Sequence, residues 1–480
     1  MNLQEFADIL KRHPAYPTLE AWAQARHSNL QLNGASGSSV PLLAHTAQKS
    51  QGRAAVFVAH DQEEAAYLYN DLLGLSPAEK VFYLPSSYKK KILDGQPQDA
   101  PSQVLRTEAL SGIGNITGWT IVTYPEALSE RVIDQALLSK ETLHLHQGEK
   151  TDLQFVTNLL EQYGFEQVDF VYEPGQFAVR GSIIDVFSFS SDLPYRIDFW
   201  GDEIDSLRTF DIENQLSVSS LDDITIVSNI LHSQAPENEA SVFSFFPKGT
   251  LLCVCDGAFA CDRIGEIWEA NGHHPHFAKP EEFATALSEY SLLEWGHHPL
   301  CQIKNQLTLD QEAQPLFHKN FDWVTDDLSK RHALGYDIYI CSDNPKQIDR
   351  LSDIFAERTE QVAFKPLTGI LHEGFIDHDL RICVYTDHQI FDRFQKYQLR
   401  SAKARAGKLA LSLKELMQFR IGDYIVHSDH GVGRFGGLIK MEVGGKMQEM
   451  IKLTFRDDDI LFVNIHWLHR ISKYKSKEAT

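Results

Sequence analysis

The first 150 residues alternate short apolar runs with segments of helical spacing. Apolar runs at 54–59, 81–84 and 119–123 are typical of buried strands, while 61–73 and the residues after Pro125 have the apolar spacing of helices. Strands that alternate with helices along a chain predict a parallel sheet of the α/β class.

The pattern changes between residues 150 and 211. A helix is predicted at 153–163, and short apolar runs separated by tight turns follow it at 177–180, 183–187, 195–200 and 204–210. Gly201 and Asp202, between the last two runs, are a good two-residue hairpin signal. These residues therefore predict an α+β insert with an antiparallel sheet.

After residue 212 the α/β pattern returns, and the chain then ends in a region of strands alone. Further strands are predicted at 251–255, 337–341 and 380–385, with helices at 281–290 and 345–355. The last region has strands at 424–427, 433–442, 447–455 and 460–464. Several short strands joined by tight turns predict a small SH3-like or Tudor-like β-barrel.

These patterns make the chain a multidomain α/β protein. Its predicted segments are an N-terminal helical segment (1–24), an α/β domain in two parts (25–149 and 212–316), the α+β insert (150–211), a small α/β domain (317–392), a basic linker (393–415) and the β-barrel (416–476).

The composition favours binding to other proteins over tight binding to DNA. The 480 residues carry a net charge of −21, whereas tight DNA binding requires clustered Lys and Arg. The linker is the exception, because residues 393–413 include six basic residues and no acidic one. Only weak DNA binding is therefore expected of this segment.

Membrane, metal and redox chemistry are not indicated. No apolar run approaches the ~20 residues needed to cross a membrane, and the N-terminus lacks a signal-peptide pattern, so the expected compartment is the cytoplasm. The chain is also expected to be a monomer. Four of the six cysteines lie in apolar runs, as buried free thiols do. Histidines cluster at 273–276, 297–298 and 466–469 without a recognisable ligand spacing. No metal, cofactor or catalytic residue is predicted.

Two sets of motifs resemble a known family. Residues 173–187 (EPGQFAVRGSIIDVF), 193–199 (LPYRIDF) and 202–208 (DEIDSLR) are similar to a segment shared by UvrB and bacterial transcription-repair coupling factors. Residues 422–427 (GDYIVH) and 430–437 (HGVGRFGG) resemble the polymerase-interacting domain that coupling factors share with CarD-type regulators. Since UvrB has no such barrel here, the two together resemble the N-terminal half of a coupling factor.

The resemblance implies a non-catalytic scaffold for transcription-coupled nucleotide excision repair. The insert would bind UvrA, and the barrel would bind the β subunit of RNA polymerase. The ATP-dependent DNA translocase motor of the family would lie C-terminal to Thr480, and the first α/β domain would be a UvrB-like motor lobe without nucleotide. Two alternatives stay open: a CarD-like transcription regulator that uses only the barrel, and a UvrB-like damage-recognition helicase lobe.

Within the insert, the resemblance places Arg180, Arg196 and Phe187 at the UvrA-binding surface. Arginine suits a protein interface because its planar guanidinium pairs with carboxylates through two bonds and is weakly hydrated. The alternative for the two arginines is ion pairing with Asp185 or Asp198. The alternative for Phe187 is packing in the core.

Within the barrel, the resemblance predicts that five residues contact polymerase: Leu438, Ile439, Lys440, Met441 and Arg434. The family is thought to bind by joining two strand edges, a mode in which backbone hydrogen bonds give affinity and side chains give specificity. Met441 is the expected apolar anchor, with Arg434 and Lys440 as a charged rim. The alternative places Met441 in the barrel core.

Gly34, Gly37, Ser38 and Ser39 lie where a phosphate-binding loop would precede a helix. A working loop has the pattern GxxxxGK[ST], in which the lysine neutralises phosphate charge and the hydroxyl holds magnesium. Here the glycines are closer together and no lysine follows. The loop is therefore predicted to be a degenerate one that binds no nucleotide.

Overall fold

The structure is a computed structural model, and it forms two compact units. The first unit comprises residues 1–137 and 230–399, and the second comprises 138–229 and 400–480. The structure describes the chain except for residues 77–79, 88–99, 115, 192, 213–214, 229–238, 301–302, 357–362, 394–419, 428–429, 444–445, 457–458, 465–470 and 474–480.

A seven-stranded parallel sheet lies at the centre of the first unit. Numbered in chain order, its strands are β1 (Asn29–Asn33), β2 (Ala55–Val58), β3 (Val81–Tyr83), β4 (Thr120–Thr123), β15 (Leu251–Cys255), β16 (Ser291–Trp295) and β17 (Gln306–Thr308). Their order across the sheet is β17-β1-β16-β15-β2-β4-β3. Every residue of β2, β4 and β15 is buried, as expected for parallel strands covered by helices on both faces.

A second sheet of five strands completes the first unit. Its strands are β18 (Gln311–Ala313), β19 (Asp337–Ser342), β20 (Lys365–Thr368), β21 (Phe375–Asp377) and β22 (Ile382–Thr386), in the order β18-β21-β22-β19-β20. A short two-stranded sheet pairs β5 (Val132–Ile133) with β14 (Glu239–Ala240).

Helices cover both sheets of the first unit. They are α1 (Leu3–Leu10), α2 (Tyr16–Gln24), α3 (Ser39–Ser50), α4 (Gln62–Leu73), α5 (Ala100–Gly112), α6 (Pro125–Ser129), α9 (Gly257–Ala270), α10 (Pro280–Glu289), α11 (Phe321–Ala333), α12 (Pro345–Ala356) and α13 (Asp387–Ile390). The helix α4 begins where the side chain of Asp61 accepts the backbone N–H groups of Glu63 and Glu64, a typical N-cap.

The N-terminal helices join the two sheets through one continuous hydrophobic core. Phe6 of α1 packs edge-on against Tyr339 of β19, with 5.2 Å between the ring centroids. Trp22 of α2 donates from its indole nitrogen to the carbonyl of Leu292 on β16, at 3.1 Å. The first 24 residues are therefore an integral part of the packing of the first unit.

The insert lies in the second unit, after α7 (Gln135–Lys140), and contains α8 (Leu153–Gln162) and five strands of a six-stranded sheet, whose last strand lies beyond the predicted bound at residue 211. The strands are β7 (Glu166–Gln167), β8 (Gln176–Arg180), β9 (Ile183–Val186), β10 (Tyr195–Trp200), β11 (Glu203–Phe210) and β12 (Ser217–Leu221), in the order β12-β11-β10-β9-β8-β7. A separate antiparallel pair joins β6 (Thr142–His146) to β13 (Asp223–Val227).

The C-terminal region of the second unit is a five-stranded antiparallel sheet. Its strands are β23 (Tyr424–His427), β24 (Gly431–Val443), β25 (Lys446–Thr454), β26 (Ile460–Asn464) and β27 (Ile471–Lys473), in the order β26-β25-β24-β23-β27. Ile425, Phe435, Ile451, Leu453 and Val463 form its core.

The predicted mixture of α/β regions with a small all-β region at the end is confirmed. The strands predicted at 195–200, 251–255, 424–427 and 460–464 have the predicted bounds. The basic residues of the linker from 394 onwards lie outside the described residues. No helix of the described part of the chain is long and apolar enough to span a membrane.

Candidate functional site

The loop between β1 and α3 lies where the sequence predicts a degenerate phosphate-binding loop, and protein atoms crowd it. Gly34 and Gly37 both have positive φ angles, +68° and +54°, which favour glycine. A Cβ atom on Gly34 would lie 2.2 Å from the carbonyl oxygen of Leu309, and one on Gly37 would lie 2.6 Å from that of Gly374. Both glycines are thus explained by the close approach of the neighbouring backbone.

The hydrogen-bond donors of this loop are directed at protein oxygens. Gln311 Oε1 accepts from the Ser36 N–H at 3.2 Å and from the Ser39 hydroxyl at 2.6 Å. The Ser38 N–H donates to the carbonyl of Glu373 at 3.2 Å. In a phosphate-binding loop, such N–H groups at a helix N-terminus point at the phosphate oxygens. Here a carboxamide and a peptide carbonyl take that place.

Asp71 of α4 fixes the position of this loop. Its carboxylate is buried and accepts from the Ser38 hydroxyl at 2.6 Å and from the backbone N–H of His372 at 2.8 Å. Beside it, the ring of Tyr67 stacks on that of His372, with centroids 3.7 Å apart. Burial raises the pKa of the Asp71 carboxyl to about 7, because desolvation disfavours the charged form.

In the insert, the structure brings Arg180 and Arg196 together around one buried carboxylate, that of Asp185. Arg196 pairs with it through two bonds of 2.7 and 2.9 Å, and Arg180 contacts the same carboxylate from β8. Arg196 also lies over the ring of Phe210 at 4.4 Å, and Arg180 lies over Phe170 at 5.1 Å. The ion-pair alternative is therefore realised, and burial lowers the pKa of both guanidinium groups.

The two arginines differ in how much surface they offer. The Arg180 side chain is 36% exposed and that of Arg196 is 16% exposed, whereas Asp185 is fully buried. Phe187 is 1% exposed and packs with Val171 in the core of the insert. A direct surface contact by Phe187 is therefore excluded in this conformation, and the core alternative is the correct one for this residue.

Sequence reasoning missed the most exposed aromatic side chain of the insert. Trp200 ends β10 at the hairpin to β11 and is 83% exposed. Leu216, directly before the edge strand β12, and Val218, within it, are also exposed apolar residues. The signal available in the sequence was a tryptophan directly before the Gly201-Asp202 turn, since residues at a hairpin tip project from the sheet.

In the C-terminal sheet, the predicted polymerase residues lie along β24. Leu438 is 47% exposed, Ile439 and Met441 are half-buried, and the side chain of Lys440 lies outside the described residues. Arg434 is exposed and donates to the Tyr424 hydroxyl at 2.9 Å while its guanidinium lies 5.1 Å from the Tyr424 ring centroid. Met441 does not belong to the core cluster of this sheet.

One edge of β24 is paired with β23 along only part of its length. Pairing with β23 covers only residues 431–434, whereas pairing with β25 continues to Val443. A bulge between Phe435 and Leu438 interrupts the register, and Gly437 there has a φ of +94°. Beyond the bulge, no described strand pairs with the second edge of β24, and Met441 lies on this part.

Comparison with known proteins agrees with these two regions. A family model described as "UvrB interaction domain" matches residues 143–231, and one described as "CarD-like/TRCF RID domain" matches residues 419–475. The transcription-repair-coupling factors of Escherichia coli (strain K12) and Bacillus subtilis (strain 168) are each 22% identical to it, over 92% and 93% of this chain. The chain resembles transcription-repair-coupling factors. The resemblance inferred from the motifs is thereby confirmed.

The similarity covers only part of each relative. The matched region is 45% of the length of both coupling factors, so the chain spans about half the length of the curated relatives it matches. A solved structure titled "XPD_Helicase" aligns with 75% of this chain and 80% of its own, at 10% identity and a TM-score of 0.22. That score is too low to compare the two folds.

The buried carboxyl of Asp71 generates a testable pH dependence. Its pKa rises from 3.8 to about 7 on folding, so between these values the native state holds a proton that the unfolded state has lost. Stability should therefore fall as the pH rises from about 4 to about 7. The Asp71→Asn variant cannot titrate, and it should lose this part of the pH dependence and gain stability relative to the wild type as the pH rises.

Urea unfolding of both proteins at several pH values between 5 and 8 measures the effect. Asp353→Asn, at an exposed position of α12, is the matched control and should leave the profile of the wild type unchanged. An Asp71→Asn profile parallel to that of the wild type would contradict the assignment.

Proposed function

We propose that this chain is a non-catalytic scaffold for transcription-coupled nucleotide excision repair. Its C-terminal sheet would bind the β subunit of RNA polymerase, and its insert would recruit UvrA. The observation that carries the proposal is the presence of both matched domains, the UvrB interaction domain and the CarD-like domain, in this order on one chain. Neither alternative function accounts for both.

The UvrA surface that we propose is the face of the insert that carries Arg180 and Arg196. Strand register places Arg196 opposite both Asp185 and Arg208, and Arg208 in turn pairs with Asp198. Charged groups therefore continue across three adjacent strands. Because Asp185 holds both guanidinium groups before a partner arrives, little side-chain freedom remains to be lost on binding.

The polymerase surface that we propose is the edge of β24 beyond the bulge, with which no described strand pairs (the free edge). An unpaired strand edge presents backbone N–H and C=O groups that can pair with a strand of another protein. Met441 on this stretch is half-buried, so an apolar contact would cover it fully. Leu438, which is 47% exposed, lies next to the bulge and would extend the contact.

We also propose the finer fold assignments. The C-terminal sheet would be an SH3-like or Tudor-like barrel, and the seven-stranded sheet with its helices a degenerate UvrB-like motor lobe. The filled loop supports the second assignment, because Gln311 and Glu373 accept the hydrogen bonds that a nucleotide would need. No cofactor is proposed for this loop, and DNA binding by this segment would be weak.

The filled loop predicts that the chain does not hydrolyse ATP, with or without DNA. No lysine follows Gly37 to neutralise phosphate charge, and the Ser39 hydroxyl already donates a hydrogen bond to Gln311. Steady-state phosphate release should stay at background. Turnover that disappears in Ser39→Ala would overturn the prediction and favour the helicase alternative.

The arginine assignment predicts weaker UvrA binding in two variants. Arg180→Ala and Arg196→Ala should each raise the dissociation constant roughly tenfold or more, as truncation of interface arginines does. Isothermal titration with UvrA measures this. Arg331→Ala in the first unit is the control, since Arg331 is 18% exposed, pairs with Glu312 and lies over Tyr336, an arrangement similar to that of Arg196.

A further variant separates contact from folding. Asp185→Asn keeps both arginines but removes the charge that holds them, so a modest loss of affinity is expected if the guanidinium groups contact UvrA themselves. A loss in Asp185→Asn as large as in both arginine variants, with lowered unfolding temperatures in all three, would show a structural role only. Unchanged affinity in both arginine variants would remove the site assignment.

The free edge predicts that Met441→Asp abolishes polymerase binding and leaves UvrA binding intact. A carboxylate placed in an apolar edge contact costs about 1–3 kcal/mol or more through desolvation. Val432→Asp is the matched control, because Val432 is an exposed apolar residue of the same strand on its paired part. Pull-down with the polymerase β subunit compares the two after circular dichroism has shown both folded. Equal loss in both variants would contradict binding through the free edge.

A further inference from the structure

Three side chains with metal-ligating atoms meet at the carboxyl end of the parallel sheet in the first unit. His60 follows β2 at a distance of two residues, Cys255 ends β15, and Asp256 directly precedes α9. Their ligand atoms all lie within 4.8 Å of one another. The strands β2 and β15 are neighbours in the sheet, so two adjacent strand ends build the cluster. This edge of an α/β sheet is the usual place for ligands.

The separations suit a tetrahedral ion. Metal–ligand distances of about 2.0–2.3 Å for zinc imply about 3.3–3.6 Å between neighbouring ligand atoms. Cys255 Sγ lies 3.5 Å from His60 Nε2, which already matches. Asp256 Oδ2 lies 2.8 Å from the same nitrogen, so this pair would open by about half an ångström around an ion.

A carboxylate on the far side of the ring prepares His60 for this role. Glu64 Oε2 lies 2.8 Å from His60 Nδ1, and a carboxylate can only accept, so Nδ1 carries the proton of that bond. The other nitrogen, Nε2, faces Cys255 and Asp256. For the same reason it donates to Asp256 Oδ2 at 2.8 Å, and an ion bound here would replace that proton. A carboxylate–histidine–metal relay of this kind fixes the ring and strengthens the ligand.

The backbone around Asp256 also holds its carboxylate in place. Asp256 has a φ of +46°, a left-handed conformation that is uncommon for residues other than glycine. Its Oδ1 accepts the backbone N–H of His298 at 2.6 Å, and a Cβ atom on Gly296 would come within 2.2 Å of that oxygen. Oδ2 is thereby directed at His60. Strain of this kind at a polar cluster points to a functional role.

We propose that His60, Cys255 and Asp256 bind one divalent transition-metal ion of the zinc class. A thiolate, an imidazole and a carboxylate are the ligand types that zinc takes, and three protein ligands leave the fourth position for water. The His60 side chain is 29% exposed, which gives an ion access from solvent. The site is independent of the proposed repair function.

A second cluster of histidine and carboxylate side chains in the same unit does not meet the requirements of a metal site. His13 lies 3.2 Å from Asp377 and 3.6 Å from Asp379 through Nε2. Its Nδ1, however, accepts the backbone N–H of Ala15 at 2.9 Å, so Nε2 carries the ring proton and cannot coordinate an ion. Asp377 is also engaged by Gln311 and by the Leu380 backbone. This second group is therefore a set of hydrogen-bonded polar side chains, of which His13 and Asp377 are buried.

The same His60 cluster also resembles a cysteine nucleophile with its base and orienting carboxylate. One feature opposes that role. Asp256 lies closer to His60 Nε2 than the thiol does, at 2.8 against 3.5 Å, and therefore competes for the base.

Cobalt(II) titration of the metal-free full chain tests the proposal, since Co²⁺ reports thiolate coordination by a sulfur-to-metal charge-transfer band. We expect one equivalent of Co²⁺ to produce the band and one equivalent of Zn²⁺ to remove it. Cys255→Ser should lose the band. Glu64→Gln should keep it but weaken Co²⁺ binding about tenfold to a hundredfold, and Glu64 is half exposed, so the core stays intact.

Two control variants keep the test specific. Cys261→Ser changes a partly exposed thiol on α9, and Asp379→Asn changes the second cluster; both should bind Co²⁺ as the wild type does. Absence of the band in the wild type, or its persistence in Cys255→Ser, would overturn the proposal. Alkylation of Cys255 much faster than of Cys261, unaffected by Zn²⁺, would overturn it in favour of a nucleophile.

Discussion

The first unit depends on one buried carboxylate, that of Asp71. It accepts from Ser38, which precedes α3, and from the backbone of His372, which precedes β21, so it joins helix α4 to the loop and to the five-stranded sheet. Removing it would leave the proton of the buried Ser38 hydroxyl and the partly buried His372 N–H without this acceptor, and the loss of an acceptor for a buried donor costs about 1–3 kcal/mol. Asp71 thus holds together the loop before α3 and the segment at 372–374, whose backbone carbonyls lie against that loop.

This arrangement explains how the N–H groups at the start of α3 find acceptors within the protein. Helix N-termini need acceptors for their free N–H groups, and phosphate is only one possible acceptor. In this chain Gln311 Oε1 and the Glu373 carbonyl provide the acceptors from within the same unit. The glycines that normally allow a ligand to approach allow a peptide backbone to approach instead. The resulting contact is intramolecular, so no ligand concentration controls it.

The sequence predicted the fold more fully than the sites, for a physical reason. Periodicity reports which side chains are buried, so the strands at 195–200 and 251–255 could be bounded from sequence, as could the helix that begins after Asp61. Short strands in irregular surroundings, such as β17 and β27, carry too few residues for a period to show. Their places in the sheets depend on pairing with residues far away in the chain.

The sites depended even more on distant residues. Nothing in the sequence near Ser39 indicates Gln311, which lies 272 positions away, and nothing near His60 indicates Asp256, 196 positions away. The histidine clusters singled out by spacing did not include His60. For Arg180 and Arg196 the possible partner Asp185 was evident from sequence, but burial of that carboxylate under both guanidinium groups required the sheet.

The two proposed partner surfaces rest on different chemistry, and this limits how each can vary. On the insert, fixed side chains would provide recognition, so a single arginine substitution changes the surface directly. On β24, backbone groups would provide most of the affinity, and nearly any side chain keeps them. What that edge requires is the geometry of the bulge, where Gly437 has a φ of +94°; the pairing with β23 ends before the bulge, at Arg434. A β-branched residue at Gly437 would therefore damage the edge more than most substitutions of the side chains along it.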